Sequence, residues 1–322
     1  FILYSLDSFW GRSELWTSAY TLSMFPLLST LLILMYENLI VAMVAWVLAS
    51  TTGYILTGLR RDRSGVEGAI KYSLMGILAT AFFLYSLGVL VLKIDLSSLA
   101  PVKLEEPLSV LAVVMLFVAL SIEAGAAPLH YWLPDAYTGS QPVISAVLST
   151  LVKLAAISVI LNQFYRLTAV DYSLAMLAFS IVAAISMTWG NIAALTQDNV
   201  QRMMAYSSVA HVGYLYIGLS SYNVTGLNGV LVQLIAYLLA KSAAFLSLDY
   251  LLREVGTVSL KKLKGMGLRY RLTFLALTLS FLSLAGFPPF IGFWGKLYLF
   301  FSATSHAPWL VVLAIVNTAI SV

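Results

Sequence analysis

Ten apolar runs, most of them close to the length that crosses a bilayer, recur along this chain: 17–35, 37–59, 71–93, 107–134, 142–165, 173–195, 203–221, 227–251, 272–302 and 308–322. A transmembrane helix needs about 20 predominantly apolar residues. A soluble domain carries roughly 25% charged and 45–50% apolar residues. Here 61% of 322 residues are hydrophobic and only 10% are charged. So few charges cannot build a water-facing surface, so the expected class is an all-α integral membrane protein with the lipid bilayer as its main contact. The formal net charge of +4 does not point to nucleic acid, because the basic residues gather in short loops between apolar runs. There is no cysteine, which excludes disulfides, thiolate metal sites and iron–sulfur ligation within this chain. Any redox chemistry then belongs to a partner. The sequence begins at Phe1 and stops at Val322 inside an apolar run, so it reads as part of a longer protein.

The fourth and ninth runs are too long for one simple span. Each is interrupted, by Gly125-Ala126-Ala127-Pro128 in one and Gly286-Phe287-Pro288-Pro289 in the other. Proline removes a backbone donor and stops a helix. A broken helix survives in lipid only where protein or water satisfies the freed groups. Runs one to five and six to ten each place the break fourth. Five is odd, so the second set starts on the opposite face. The expected architecture is therefore a five-plus-five inverted repeat: a loop over 1–16, a first repeat over 17–165 and a second over 173–322. In transporters such repeats put the ion site at broken helices near the midplane.

Loop charges orient the chain. One side collects Arg12, Arg60, Arg61, Arg63, Lys71, Arg202, Arg253, Lys261, Lys262, Lys264, Arg269 and Arg271; the other holds Lys93, Lys103 and Arg166. By the positive-inside rule the first side, with the amino end, is cytoplasmic. Three basic residues remain, Lys153, Lys241 and Lys296, all inside apolar runs. Glu123 and His211 join them, giving ionisable groups on five different expected helices. A charge at the bilayer centre costs about 2.5–3.5 kcal/mol on insertion scales. Burial moves carboxyl and ammonium groups alike towards neutrality, so such groups can load and release protons as a neighbour's charge changes. The functional reading is a proton relay; the bland one is structural ion pairs or snorkelling side chains. Asp135, Asp198, Arg202 and Arg166 read as solvated anchors at span ends, and Asp249 as a headgroup contact. No P-loop or dinucleotide fingerprint is present. His130, His211 and His306 are too far apart to form a local metal motif.

Three long motifs resemble one family. They are Pro128-Leu129-His130-Tyr131-Trp132-Leu133-Pro134-Asp135-Ala136-Tyr137, the run from Ala194 to Ser208, and the run from Leu284 to Lys296. In this order they resemble the antiporter-like proton-translocating subunits of complex I, of the L, M and N types, with energy-converting hydrogenase and Mrp antiporter subunits as relatives. The resemblance implies the family's fourth to thirteenth helices, multi-pass in the cytoplasmic membrane, and other membrane-arm subunits as partners. It implies no cofactor in this chain, with quinone, flavin and iron–sulfur clusters confined to partners. Lys153 matches the family's lysine on the eighth helix, His211 the connecting histidine, and Lys296 the ionisable residue on the second broken helix. Lys241 resembles a lysine of the L type, and Tyr237 stands where several members have histidine. His130 and Asp135 belong to the first motif as supporting residues.

Two matches fail together. The family's glutamate in a Trp-Glu-Leu setting is here Trp46-Val47-Leu48, and the partner lysine, seven residues before His130, is here Glu123. The coordinated loss avoids a buried charge without its partner. Glu123 is expected to pair with Lys153 instead. The competing expectation is that the first half no longer conducts.

Overall fold

Polar residues at the ends of the apolar runs start four of the helices. Asn38 accepts from Ile40 N and Val41 N, Asp62 from Gly65 N, Asn199 from Arg202 N and Asn223 from Gly226 N. Each bond satisfies an amide left orphaned at a helix start. Proline opens the helices at Pro107, Pro142 and Pro308, where its missing N–H costs nothing. The structure, a computed structural model, describes residues 13–92, 101–102, 106–168 and 172–321. Arg12, Lys93, Lys103 and most of the 1–16 loop lie outside the described residues.

The helices are α1 (Ser13–Met35), α2 (Leu39–Gly58), α3 (Arg63–Leu90), α4 (Pro107–Ala124), α5 (Trp132–Gly139), α6 (Pro142–Leu167), α7 (Ser173–Leu195), α8 (Val200–Ser220), α9 (Val224–Val255), α10 (Arg271–Ala285), α11 (Ile291–Ala303) and α12 (Pro308–Ile320). Among the described residues there is no strand, only the isolated bridge between Asn199 and Ser259. Seven of these helices, α1 to α4, α6, α7 and α9, are long and apolar enough to cross a membrane. Their outward faces carry bare Leu34, Val44, Ile77, Leu177 and Leu239, which water would not tolerate as a continuous surface. The chain is an all-α integral membrane protein.

Some expected boundaries moved. Helix α3 starts at Arg63, not at 71, because the Asp62 cap starts it early. Helix α9 has 32 residues, about 48 Å at 1.5 Å per residue, so it overshoots a hydrocarbon core of about 30 Å. Helix α8 matches the expected run at 203–221 yet is not among the seven. Its polar Ser207, Ser208, His211, Tyr214 and Tyr216 lower its hydropathy, but Ser208 to Ser221 are buried without interruption. Neighbouring helices rather than lipid surround it. Gly213 permits the close approach of α7: a Cβ there would lie 2.6 Å from Met187 N.

Both expected breaks are present and share one hydrogen-bond pattern. Helix α4 ends at Gly125 with φ 74°, where Gly125 N donates to Ile122 O and Ala126 N to Ser121 O. Helix α10 ends at Gly286 with φ 82°, where Gly286 N donates to Ser283 O and Phe287 N to Leu282 O. This left-handed closure favours glycine and returns partners to carbonyls at the helix end. Helix α6 is the most enclosed of the candidate spans, 89% buried. It carries two π turns, Leu148–Val152 and Ile160–Phe164, and Lys153 follows the first.

Candidate functional site

The five titratable residues singled out in the apolar runs all lie inside the protein, none more than 4% exposed. Four of them are brought together. Lys153 Nζ, from α6, and Lys241 Nζ, from α9, sit 5.6 and 5.7 Å from the centre of the Tyr237 ring. The His211 ring, on α8, lies 5.4 Å from that of Tyr237 and 5.9 Å from that of Tyr214. Lys296 Nζ, on α11, stands 4.5 Å from the Tyr214 ring centre. The order is Lys153 and Lys241 around Tyr237, then His211, then Tyr214 and Lys296. A desolvated cation over an aromatic face gains up to about 2 kcal/mol.

Each lysine also donates to a backbone carbonyl: Lys153 to Ser208 O at 3.3 Å, Lys241 to Met204 O at 2.6 Å and Lys296 to Ala285 O at 2.8 Å. A carbonyl oxygen has two lone pairs, so α8 can hold Lys153 and Lys241 without losing its ladder. Ala285 is the last residue of α10, so Lys296 places a donor at the negative end of the broken helix. Gly286 leaves room for it: a Cβ there would come within 2.8 Å of Lys296 Cδ. Among the described residues no carboxylate lies within 4 Å of any of the three ammonium groups. A cavity of about 260 Å³ opens beside His211, Tyr214, Lys296, Ser207 and Asn191. His211 Nδ1 faces the Gln233 side-chain amide at 3.4 Å.

Glu123 stands apart from this string. Its Oε1 accepts from Ser50 Oγ at 2.7 Å and from Tyr72 Oη at 3.0 Å. The expected pair with Lys153 is therefore not formed. Donors from α2 and α3 hold the carboxylate on their side of the bundle, while Lys153 turns to α8. Among the described residues Glu123 Oε2 has no hydrogen-bond partner, and neither has Trp46 Nε1. Both residues line a narrow crevice with Ala49, Val152 and Ala156 that is too tight to admit a water molecule. Tyr72 is stacked on Trp132, with ring centres 3.9 Å apart, and Trp132 Nε1 donates to Ile122 O at the first break. The stacked pair thus joins α3 and α5 to the end of the broken helix that carries Glu123.

Asp135 is more than a solvated anchor. Its two oxygens accept from Lys71 Nζ at 2.6 Å and Arg202 Nη1 at 2.7 Å, clasping α3, α5 and α8 at one end of the bundle. Burial pushes this carboxyl up, but the hydrogen bonds from Lys71 and Arg202 outweigh it and hold it below the usual range. Asp249 is 4% exposed and paired with Arg253 at 3.0 Å, so it does not read as a simple headgroup contact. At the opposite end Arg166 pairs with Glu37, whose carboxyl is held low by that hydrogen bond. His130 packs between Trp189 and Tyr206. Sequence reasoning missed Ser50, Tyr72 and Tyr214. Only Tyr214 had a signal, since it follows His211 by three residues and so shares its helix face.

The family model described as "NADH:quinone oxidoreductase/Mrp antiporter, TM" matches residues 37–321. NADH-quinone oxidoreductase subunit 14 of Thermus thermophilus is 37% identical over 97% of this chain and 68% of its own length. NADH-quinone oxidoreductase subunit N 2 of Syntrophobacter fumaroxidans is 33% identical over 91% of this chain and 64% of its own. The chain thus spans about two thirds of the length of these curated relatives. Among solved structures, a chain of respiratory complex I from Thermus thermophilus with bound Aureothin superposes with TM-score 0.82 at 34% identity, covering 94% of this chain and 68% of that one. A chain of the Mrp complex from Dietzia sp. superposes with TM-score 0.86 at 24% identity, covering 91% and 56%, and so shares the fold. This chain belongs to the NADH:quinone oxidoreductase/Mrp antiporter transmembrane family.

Proposed function

We propose that this chain translocates protons as an antiporter-like subunit of a redox-driven respiratory complex of the NADH/quinone oxidoreductase type. It is then one subunit of a translocase and holds no redox site itself. The observation that carries this reading is the string of Lys153, Lys241, His211 and Lys296, buried without carboxylate partners among the described residues and linked by Tyr237 and Tyr214. A structural role would leave such ammonium groups paired or absent, because each is costly in a low dielectric. Protons pass along the string when the charge on one member alters the occupancy of the next, with water in the cavity beside Lys296 completing the path. Glu123 loads protons in the first half, supported by Ser50 and Tyr72; His130 and Asp135 are supporting residues.

The repeated closure at Gly125 and Gly286 supports ten spans in a five-plus-five inverted repeat, 17–165 and 173–322, following a cytoplasmic-side loop at 1–16. The clasp of Asp135 with Lys71 and Arg202 sets three charged helix ends on one side, in keeping with a cytoplasmic amino end. Partners are other membrane-arm subunits; quinone, flavin and iron–sulfur clusters reside in them, and this chain binds no cofactor. The alternative is a subunit of an energy-converting hydrogenase or of a multisubunit cation/proton antiporter without a redox arm. The 34% identity to the complex I chain, against 24% to the Mrp chain, favours the first. Tagging the intact protein in its native membrane and identifying what is extracted with it separates them. Iron–sulfur and quinone-binding partners support the redox reading; small membrane proteins alone refute it.

A further inference from the structure

The segment between α9 and α10 concentrates positive charge. Lys261, Lys262, Lys264, Arg269 and Arg271 fall within eleven residues, and none lies within 4 Å of a carboxylate among the described residues. Asp198, which this segment touches, is engaged by Ser259 Oγ. The segment is docked at the start of α8, where Leu260 N donates to Asp198 O and Val200 N to Val258 O. It therefore lies at the Asp135 end of the bundle.

Two further features sit beside these cations. An apolar groove of about 700 Å³ runs between the segment and α10, with Leu263, Phe274, Leu277 and Phe281 on its walls and Lys264 at its rim. Helix α10 begins without a side-chain cap, and its first residue is Arg271. A helix start favours an anion and disfavours a cation, so the local charge is unfavourable unless a negative group is bound. Leu268 and Leu272 are each at least 80% exposed, next to Arg269 and Arg271. That mixture of bare leucine and unpaired cation belongs at the level where acyl chains meet headgroups.

We infer that this groove is a binding site for one anionic glycerophospholipid. An acyl chain lies along Phe274, Leu277 and Phe281, and the phosphate sits between Lys264, Arg269 and the start of α10. Charge decides the occupant. A zwitterionic lipid would bring its own cation to a rim that already holds only cations. The groove's volume falls in the range of about 300–1,000 Å³ of ordinary ligand pockets.

The test is native mass spectrometry of the full-length protein, extracted with its partners in mild detergent and exchanged against phosphatidylglycerol or phosphatidylcholine. Each basic residue near an anionic headgroup is worth about fivefold in affinity, so Lys264→Gln, Arg269→Gln and Arg271→Gln together should weaken phosphatidylglycerol retention roughly a hundredfold. Phosphatidylcholine retention should not change. Thr278→Trp, on the exposed rim of the groove, should displace the same lipid while every charge remains, which separates loss of the site from loss of the fold. Equal retention of the two lipids, unchanged phosphatidylglycerol in the triple variant, or a cross-link from Thr278→Cys to a polypeptide in place of lipid would overturn the assignment.

Discussion

Replacing Glu123 separates proton carriage from structural support. In Glu123→Gln the side-chain oxygen still accepts from Ser50 Oγ and Tyr72 Oη, now at 2.7 and 3.0 Å from the carboxylate. Two hydrogen bonds to a charge, worth about 1.5–3 kcal/mol each, become neutral ones worth about 0.5–1.5 kcal/mol. Against that loss of about 2 kcal/mol stands the desolvation of a buried carboxylate, itself several kcal/mol. The second term offsets the first, so the Gln variant should lose no more than about 1 kcal/mol of stability. Glu123→Ala leaves both hydroxyls and the already unpartnered Trp46 Nε1 around an enlarged gap. At about 1–3 kcal/mol for each of the two newly unsatisfied hydroxyls, it should be at least about 2 kcal/mol less stable than the Gln variant, which removes the same charge. The assay is the intact complex in sealed vesicles, with a pH-sensitive dye read against redox turnover and thermal unfolding measured in parallel. The Gln variant should keep its unfolding midpoint and move fewer protons per turnover. Wild-type proton movement in Glu123→Gln would refute the relay role. A Gln variant as unstable as the Ala variant would show that the carboxylate is a structural pin for Ser50 and Tyr72.

Three other outcomes are expected. Lys241→Met removes an ammonium whose contacts among the described residues are Met204 O and two aromatic rings; stability in detergent should hold or rise, as for buried charges replaced by apolar groups of similar size, while proton flux in vesicles is lost, and intact flux would break the string. Gly286→Ala puts a Cβ on a residue with φ 82° and 2.8 Å from Lys296 Cδ; it should cost about 1–3 kcal/mol by thermal unfolding, and an unchanged midpoint would contradict the tight closure at the second break. Burial lowers the pKa of His306, opposed by its bond to the Ser302 backbone, and its Nε2 meets Ser220 Oγ at 3.1 Å. A histidine lowered on folding stabilises above its unfolded value of about 6.5 and loses that contribution as pH falls through the folded value. The wild-type midpoint should therefore drop on acidification below about pH 6.5 more than that of His306→Gln; parallel pH curves would rule this out.

Much of the architecture was legible in the residues alone. The apolar runs had to become helices, because lipid offers the backbone no partner. The breaks could be read from glycine and proline at 125–128 and 286–289, whereas the helix starts set by polar caps were not: Asp62 begins α3 at Arg63, ahead of the expected run. The identity of the buried ionisable groups was equally plain, since a lysine within an apolar run is conspicuous by its cost. What the pattern could not say is who faces whom. Helical periodicity tells which face a side chain occupies, but not which neighbour that face meets, and the neighbours of Glu123 lie 73 and 51 residues away in sequence. Hence Glu123 was matched to Lys153 by charge, whereas the fold gives it Ser50 and Tyr72. Lys153 and Lys241 likewise meet over Tyr237 because α6, α8 and α9 pack around one centre. Sequence determined which groups are buried and where the backbone breaks. Tertiary packing alone decided their partners, because in a bundle every contact between helices is set by their mutual rotation and depth, and those depend on all the helices together.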